Sequence, residues 1–290
     1  MQAAEDLQLY SLLLPLENAV EAEKIAMALQ DDLGLHRSEA MPRALYGGGV
    51  LANRESYGKL EKLATTIRSL GTTSSIVRSV ELENLPRPRR TTGLDFQDGE
   101  LIAQAPSGNE MTLQRSTLGG IRVIALLPEN PPAEEEDTGA NPLRDPILED
   151  SLERPQQEEY QRRLQLLVER LDDPELKGIS FQIRIYSKSP PAVLKIDKDE
   201  FDYSCLDVNK SDNSLENYLR LLEKLLGWLP GSGHHVQVED FLEDPDPYAI
   251  LLSGDNEVAC SDRSLLWHLE NAAAGEPSGI MEDPSTEAGS

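Results

Sequence analysis

His234 and His235 stand side by side, with Glu239 and Asp240 close behind them. Imidazole and carboxylate ligands at that density suit Zn²⁺ or Mn²⁺, and a metal-dependent hydrolase using these four residues is one reading of the chain. Adjacent side chains on a strand point to opposite faces, which works against a shared ligand sphere. The acidic string Asp197, Asp199, Glu200, Asp202 and Asp207 invites a different chemistry, in which two carboxylates divide general acid and base work. Ile196, Phe201, Tyr203 and Leu206 are interleaved with these acids and have the character of core anchors, so the acids are expected on a solvated side.

Other candidates are incomplete. Cys205 and Cys260 form no Cys-x-x-Cys pair, so two reduced, partly buried thiols are expected rather than a zinc site. Gly47-Gly48-Gly49 lacks the Lys-Ser/Thr of a phosphate loop, and Gly231-Ser232-Gly233 lacks the Gly-x-Ser-x-Gly of a nucleophile elbow. His36 and His268 are isolated, and Arg87, Arg89 and Arg90 read as a charged turn between modules. The expectation is no catalytic residue, no metal and no cofactor, with the His234/His235 hydrolase as the alternative.

Charge narrows the class of partner. The 290 residues carry 27 basic and 52 acidic side chains, a net of −25. Binding phosphates needs a basic face, so nucleic acid is not expected as a direct partner. Residues 128–160 hold 11 acids against 2 bases, and residues 239–290 hold 13 against 1, so these two stretches supply −9 and −12 of the total. The remaining residues are nearly neutral. No window reaches the about 18 apolar residues of a membrane span, and the start MQAAEDLQ is acidic where a secretory signal is basic and then apolar. A soluble, cytoplasmic protein without a membrane span is expected.

These side chains must be held by ordered elements, and five segments are expected. Residues 1–85 form a small α/β domain, 86–127 the β-hairpin part of a second domain, and 128–156 an acidic, Pro-rich linker or insertion. Residues 157–274 make the remainder of a β-rich α+β domain, and 275–290 a disordered tail. In the first domain, LYSLLLPL reads as a strand, and Ile25, Ala28, Leu29 and Leu33 give a helix stopped by Gly34. A second helix begins near Ser38, and Val50-Leu51-Ala52 is a strand. Leu60, Leu63, Ala64, Ile67 and Leu70 mark a helix over 54–70 capped by Gly71, and a strand at 75–80 closes the order. The fold class is α+β: strand-helix-helix-strand-helix-strand, followed by a β-rich domain closed by an amphipathic helix.

That order, with Leu33-Gly34-Leu35, Ser38-Glu39-Ala40, the Gly-Gly-Val-Leu run at 48–51 and Leu70-Gly71, resembles the C-terminal domain of the bacterial ribosomal stalk protein. It is also similar to the N-end-rule adaptor of the Clp protease. The resemblance covers about 70 residues and implies a domain that docks onto another protein through its first two helices. On this chain that surface lies around Met27, His36, Arg37, Met41 and Arg43; Met27, Ser38 and Met41 stand where the stalk domain has lysines.

Further on, Asp98-Gly99 between Leu94-Asp95-Phe96 and Leu101–Ala105 is a two-residue hairpin signal, and Ser107-Gly108-Asn109 a second turn. Strands follow at 121–126, 179–186 and 192–196, with helices at 157–171 and from Ser214 to Trp228, the last burying Trp228. Antiparallel strands closed by one helix, with Ser116-Thr117-Leu118-Gly119-Gly120-Ile121-Arg122-Val123 before a strand, resemble the bacterial pleckstrin-homology-like module over 94–228. Either 128–175 is an insertion in one β domain, or 156–270 is an independent α+β domain. The functional expectation is a non-catalytic interaction, regulatory or adaptor protein whose partner is another protein.

Overall fold

Leu12 and Leu13 are consecutive, and because strand side chains alternate they enter two different cores. The strand that carries them, β1 (Tyr10–Leu13), lies in the centre of a three-stranded antiparallel sheet between β2 (Val50–Glu55) and β3 (Ser75–Arg78). The computed structural model describes residues 8–15, 20–46, 49–128, 154–229, 234–252 and 254–274. Gly47-Gly48, most of the acidic stretch at 128–156, Pro230–Gly233 and the tail at 275–290 lie outside the described residues.

One face of this sheet is covered by α1 (Ala22–Leu33) and α3 (Tyr57–Ser69), with α2 (Arg37–Tyr46) between them in sequence. The order strand-helix-helix-strand-helix-strand is the expected one. Gly34 ends α1 in the left-handed region, at φ 71°, where its N–H reaches the Gln30 carbonyl at 3.0 Å. The third helix begins at Tyr57 rather than Arg54, because β2 continues through a bulge. There Tyr10 pairs with Glu55 and Leu12 with Ala52, so β2 carries one extra residue and Arg54 takes φ 60°. Buried hydroxyls absorb the irregularity. Ser11 Oγ donates to Asn53 Oδ1 at 2.8 Å, and the Arg54 N–H donates to Ser79 Oγ at 3.2 Å. Ser79 opens a short helix that sequence periodicity missed, α4 (Ser79–Glu83).

Between the first and third helices, Asp32 receives Lys62 Nζ at 2.9 Å and the Thr66 hydroxyl at 2.5 Å. Burial raises the Asp32 pKa, but the two hydrogen bonds and the Lys62 charge outweigh it, so the group titrates below its ordinary value. Its stabilising contribution is therefore present above the unfolded carboxyl value and lost as pH falls through the lowered folded value. Lys62 is raised by the same bond, so its share is present below its ordinary value and lost as pH rises past it. Asp32→Ala is expected to cost about 2 kcal/mol at neutral pH. The difference from the parent should shrink as pH falls below the ordinary carboxyl range, measured by urea titration at neutral and acid pH.

Residues 87–254 build two further sheets. The strands are β4 (Arg89–Arg90), β5 (Gly93–Gln97), β6 (Glu100–Gln104), β7 (Glu110–Gln114), β8 (Leu118–Leu126), β9 (Ser180–Lys188), β10 (Pro191–Asp197), β11 (His234–Val236) and β12 (Leu251–Leu252). The helices are α5 (Arg154–Leu171), α6 (Ser214–Trp228) and α7 (Val238–Glu243). The meander β5-β6-β7 stands as its own sheet, and Asp98-Gly99 makes its first turn. Only Gly99 of that pair takes a positive φ, 84°, so the turn is not the doubly left-handed kind. The larger sheet runs β11-β8-β9-β10-β4, with β12 also on β8. The central strands β8, β9 and β10 are antiparallel, whereas β4, β11 and β12 join as short parallel strands. Because β8 bonds to β9, the acidic stretch is an insertion between two neighbouring strands of one sheet, and 156–270 is not an independent domain.

The core of this unit takes Ile121, Val123 and Ala125 from β8, Phe181, Ile183 and Ile185 from β9, and Leu194 and Ile196 from β10. Against them pack Tyr160, Leu164 and Leu167 of α5 and the stripe Tyr218, Leu219, Leu222 and Leu225 of α6. Asn213 caps α6, its side-chain oxygen accepting from the N–H groups of Leu215 and Glu216 at 2.9 and 3.2 Å.

The last helix, α8 (Asp255–Ala274), departs from expectation. It does not belong to the second domain as placed at 157–274: Asp255–Ser290 groups with Met1–Pro86, and the second unit is Arg87–Gly254. The reason is the second face of the first sheet, where Leu13, Val50, Val77 and Leu82 form an apolar layer covered by Cys260 and Trp267 of α8. The His268 ring Nε2 meets the Leu14 carbonyl at 2.8 Å. A Cβ on Gly49 would lie 2.5 Å from Ser264 Oγ, so the glycine allows the close approach as well as its own φ of 88°. Among the described residues no helix is long and apolar enough to cross a membrane.

Candidate functional site

The apolar stripe of α1 is Ile25, Ala26, Ala28 and Leu29, all buried. Met27 lies off that stripe and is 57% exposed, a flexible, polarisable side chain left in water. Glu23, one turn earlier on the same face, receives Arg37 at 3.4 Å, which ties the start of α2 to the first turn of α1. Both partners are largely exposed, so the pair contributes at most about 1 kcal/mol. His36 precedes α2; its carbonyl accepts from the Glu39 and Ala40 N–H groups at 2.9 Å, and its ring Nδ1 lies 2.8 Å from Ser38 Oγ. Arg43 is exposed in the last turn of α2. Met41 differs from the other four: it is half-buried and packs against the core of the first unit. The structure thus leaves Met27, His36, Arg37 and Arg43 at the surface and turns Met41 inward.

The chemical candidates resolve residue by residue. Ile196, Phe201, Tyr203 and Leu206 are buried, and the acids between them carry partners. Asp197 meets Lys195 at 3.3 Å, Asp199 meets Lys198, Glu200 meets Arg90, and Asp202 meets Lys210 at 3.4 Å while accepting the Ser204 N–H at 3.0 Å. Each of these four carboxylates therefore stands beside a basic side chain. Arg89 and Arg90, expected in a turn, form the edge strand β4 instead.

His234 and His235 pair in register with Gly120 and Ile121, so β11 is a strand as alternation required; their side chains lie outside the described residues. Glu239 and Asp240 are exposed on α7. Among the described residues no group of three His, Cys, Asp or Glu side chains gathers as a metal cage. Cys205 is half-buried, and burial pushes its thiol up to about 11, which suppresses the nucleophilic thiolate at neutral pH.

One arrangement was invisible in the sequence. Arg122 of β8 stands opposite Arg184 of β9, Arg184 opposite Lys195 of β10, and Lys195 opposite Arg90 of β4. Four bases therefore cross four neighbouring strands in one row, on the face turned away from the aliphatic core. Like charges directly opposite are unfavourable, and Asp197 and Glu200 offset them at the Lys195 and Arg90 end. Each strand shows its own alternation in sequence; only register brings the four together.

None of the known protein families, curated proteins or solved structures compared with the chain matches it.

Proposed function

We propose that the chain is a non-catalytic, cytoplasmic protein-interaction or adaptor protein whose first unit meets another protein through α1 and α2. The contact residues are Met27, His36, Arg37, Met41 and Arg43, with Met41 acting as the support from within. The observation that carries this reading is Met27, a large apolar side chain 57% exposed on a helix whose other apolar residues are buried or half-buried. Exposed thioethers adapt to varied partner surfaces, and the flanking Arg37 and Arg43 supply polar orientation at the rim.

The test is affinity capture from native lysate with the intact chain and with a Met27→Glu, Arg37→Glu variant, scored by mass spectrometry. Both substitutions are at exposed positions, and the main loss is the exposed Glu23–Arg37 pair, so stability should fall by no more than about 1 kcal/mol. The expected result is a stoichiometric partner lost by the variant, with a cooperative melting transition retained. A partner retained at equal yield, or no stoichiometric partner at all, overturns the proposal.

A further inference from the structure

The second unit begins and ends inside the first. Chain order runs from Met1–Pro86 through Arg87–Gly254 and back to Asp255–Ser290, so α8 reaches its sheet only by way of the inserted unit. Both ends of the insert are strands of one sheet. β4 lies on β10 and β12 on β8, and the order β12-β8-β9-β10-β4 places them four strand spacings apart, about 19 Å. The row containing Arg90 meets β8 at Arg122, while β12 pairs with Ala125 and Leu126, which adds about 12 Å along the strands. A folded insert therefore holds its two ends about 22 Å apart. Two residues separate β12 from α8. Unfolded, the same 168 residues (254 − 86) would span about 70 Å root-mean-square.

We propose that the Arg87–Gly254 unit is a strut that presents α8 to the sheet of the first unit, so that the state of the insert sets how often the helix leaves. What α8 uncovers on leaving is the apolar layer Leu13, Val50, Val77 and Leu82. The local concentration of a tethered helix falls as roughly the three-halves power of tether length, so replacing a 22 Å strut by a 168-residue coil dilutes α8 about thirtyfold. Anything that loosens the insert would raise the undocked population by that route, and with it the unfolding of the first unit.

The molecule carries its own reporters. It has two tryptophans, Trp267 on α8 over the apolar layer and Trp228 at the end of α6 beside Phe96, with ring centroids 5.5 Å apart. The experiment inserts a roughly forty-residue Gly/Ser segment after Gly254 in the full chain. Trp267 is followed in a Trp228→Phe background and Trp228 in a Trp267→Phe background, under urea. The expected result is an about sixfold rise in undocked α8, read as an earlier Trp267 transition, with the Trp228 midpoint unchanged. A control carries the same segment at Gly108, in the β6–β7 turn and off the tether, and should leave the Trp267 midpoint in place. An unshifted Trp267 transition after the Gly254 insertion, or an equal shift from the Gly108 insertion, overturns the strut.

Discussion

A chain ending at Gly254 is expected to lose the fold of its first unit while keeping that of its second. Removing α8 returns Leu13, Val50, Val77 and Leu82 to water, together with the loss of Cys260 and Trp267 packed against them. At about 1.5–3 kcal/mol for each large aliphatic side chain, these four side chains, three on the sheet and Leu82 on α4, account for about 6–12 kcal/mol. Total domain stability is about 5–15 kcal/mol, so the unit has no reserve of that size. The measurement is far-UV circular dichroism with Trp228 fluorescence on the truncated chain. The helical signal of α1 and α3 should be largely gone, while Trp228 keeps a cooperative urea transition. A truncated chain in which both units melt as in the parent would mean that the apolar layer closes without α8. For the same reason a fragment of residues 1–85 is a poor vehicle for testing the α1–α2 surface, and the intact chain is the proper one.

The second large effect is expected at Tyr218. This side chain is fully buried under β9, with its hydroxyl donating to the Gln182 carbonyl at 3.2 Å and its ring 5.6 Å from Phe181. Tyr218→Ala should destabilise the second unit by about 3–5 kcal/mol through the cavity it leaves. Tyr218→Phe keeps the packing and should cost about 1 kcal/mol. Burial also pushes the Tyr218 hydroxyl, and that of Tyr160, well above the ordinary tyrosine value. The sign follows from linkage: the folded state holds its protons longer than the unfolded one, so stability is complete below about pH 10 and declines as pH rises further. Tyr218→Phe should flatten part of that alkaline decline. Denaturant midpoints of parent and both variants at neutral and alkaline pH check all three statements, and equal losses for Ala and Phe would sink the packing account.

Local signals were legible where one element carries its own reason. Gly34 as the stop of α1, the helix from Ser214 to Trp228 and the Asp98-Gly99 turn were each visible because the determinants lie within a few residues. The α+β class and the order of the first six elements followed from them. The short elements were not legible. β4, β11 and β12 span two or three residues and are defined by parallel partners far away in sequence, so they have no period of their own. Arg54 adjoins a helical apolar period that starts at Leu60, and only the bulge opposite Ser11 explains its left-handed backbone. The placement of α8 was missed because amphipathicity shows that a helix is covered, not by what. At the candidate surface, Met27 and Met41 looked equivalent in sequence, and the turn of α2 against the core separates them.

The position of α8 at the far end of the chain also sets a schedule for synthesis. All three strands of sheet β2-β1-β3 have been made once Arg78 is added, yet the helix that covers its second face follows only after the ribosome has added the insert and reached Asp255. At about 5–20 residues per second, that is a wait of roughly ten to thirty seconds. Throughout it Leu13, Val50 and Val77 offer the nascent chain, and anything else nearby, an adhesive surface. Chaperones that shield such a surface have their natural window there, before the final helix arrives to close it.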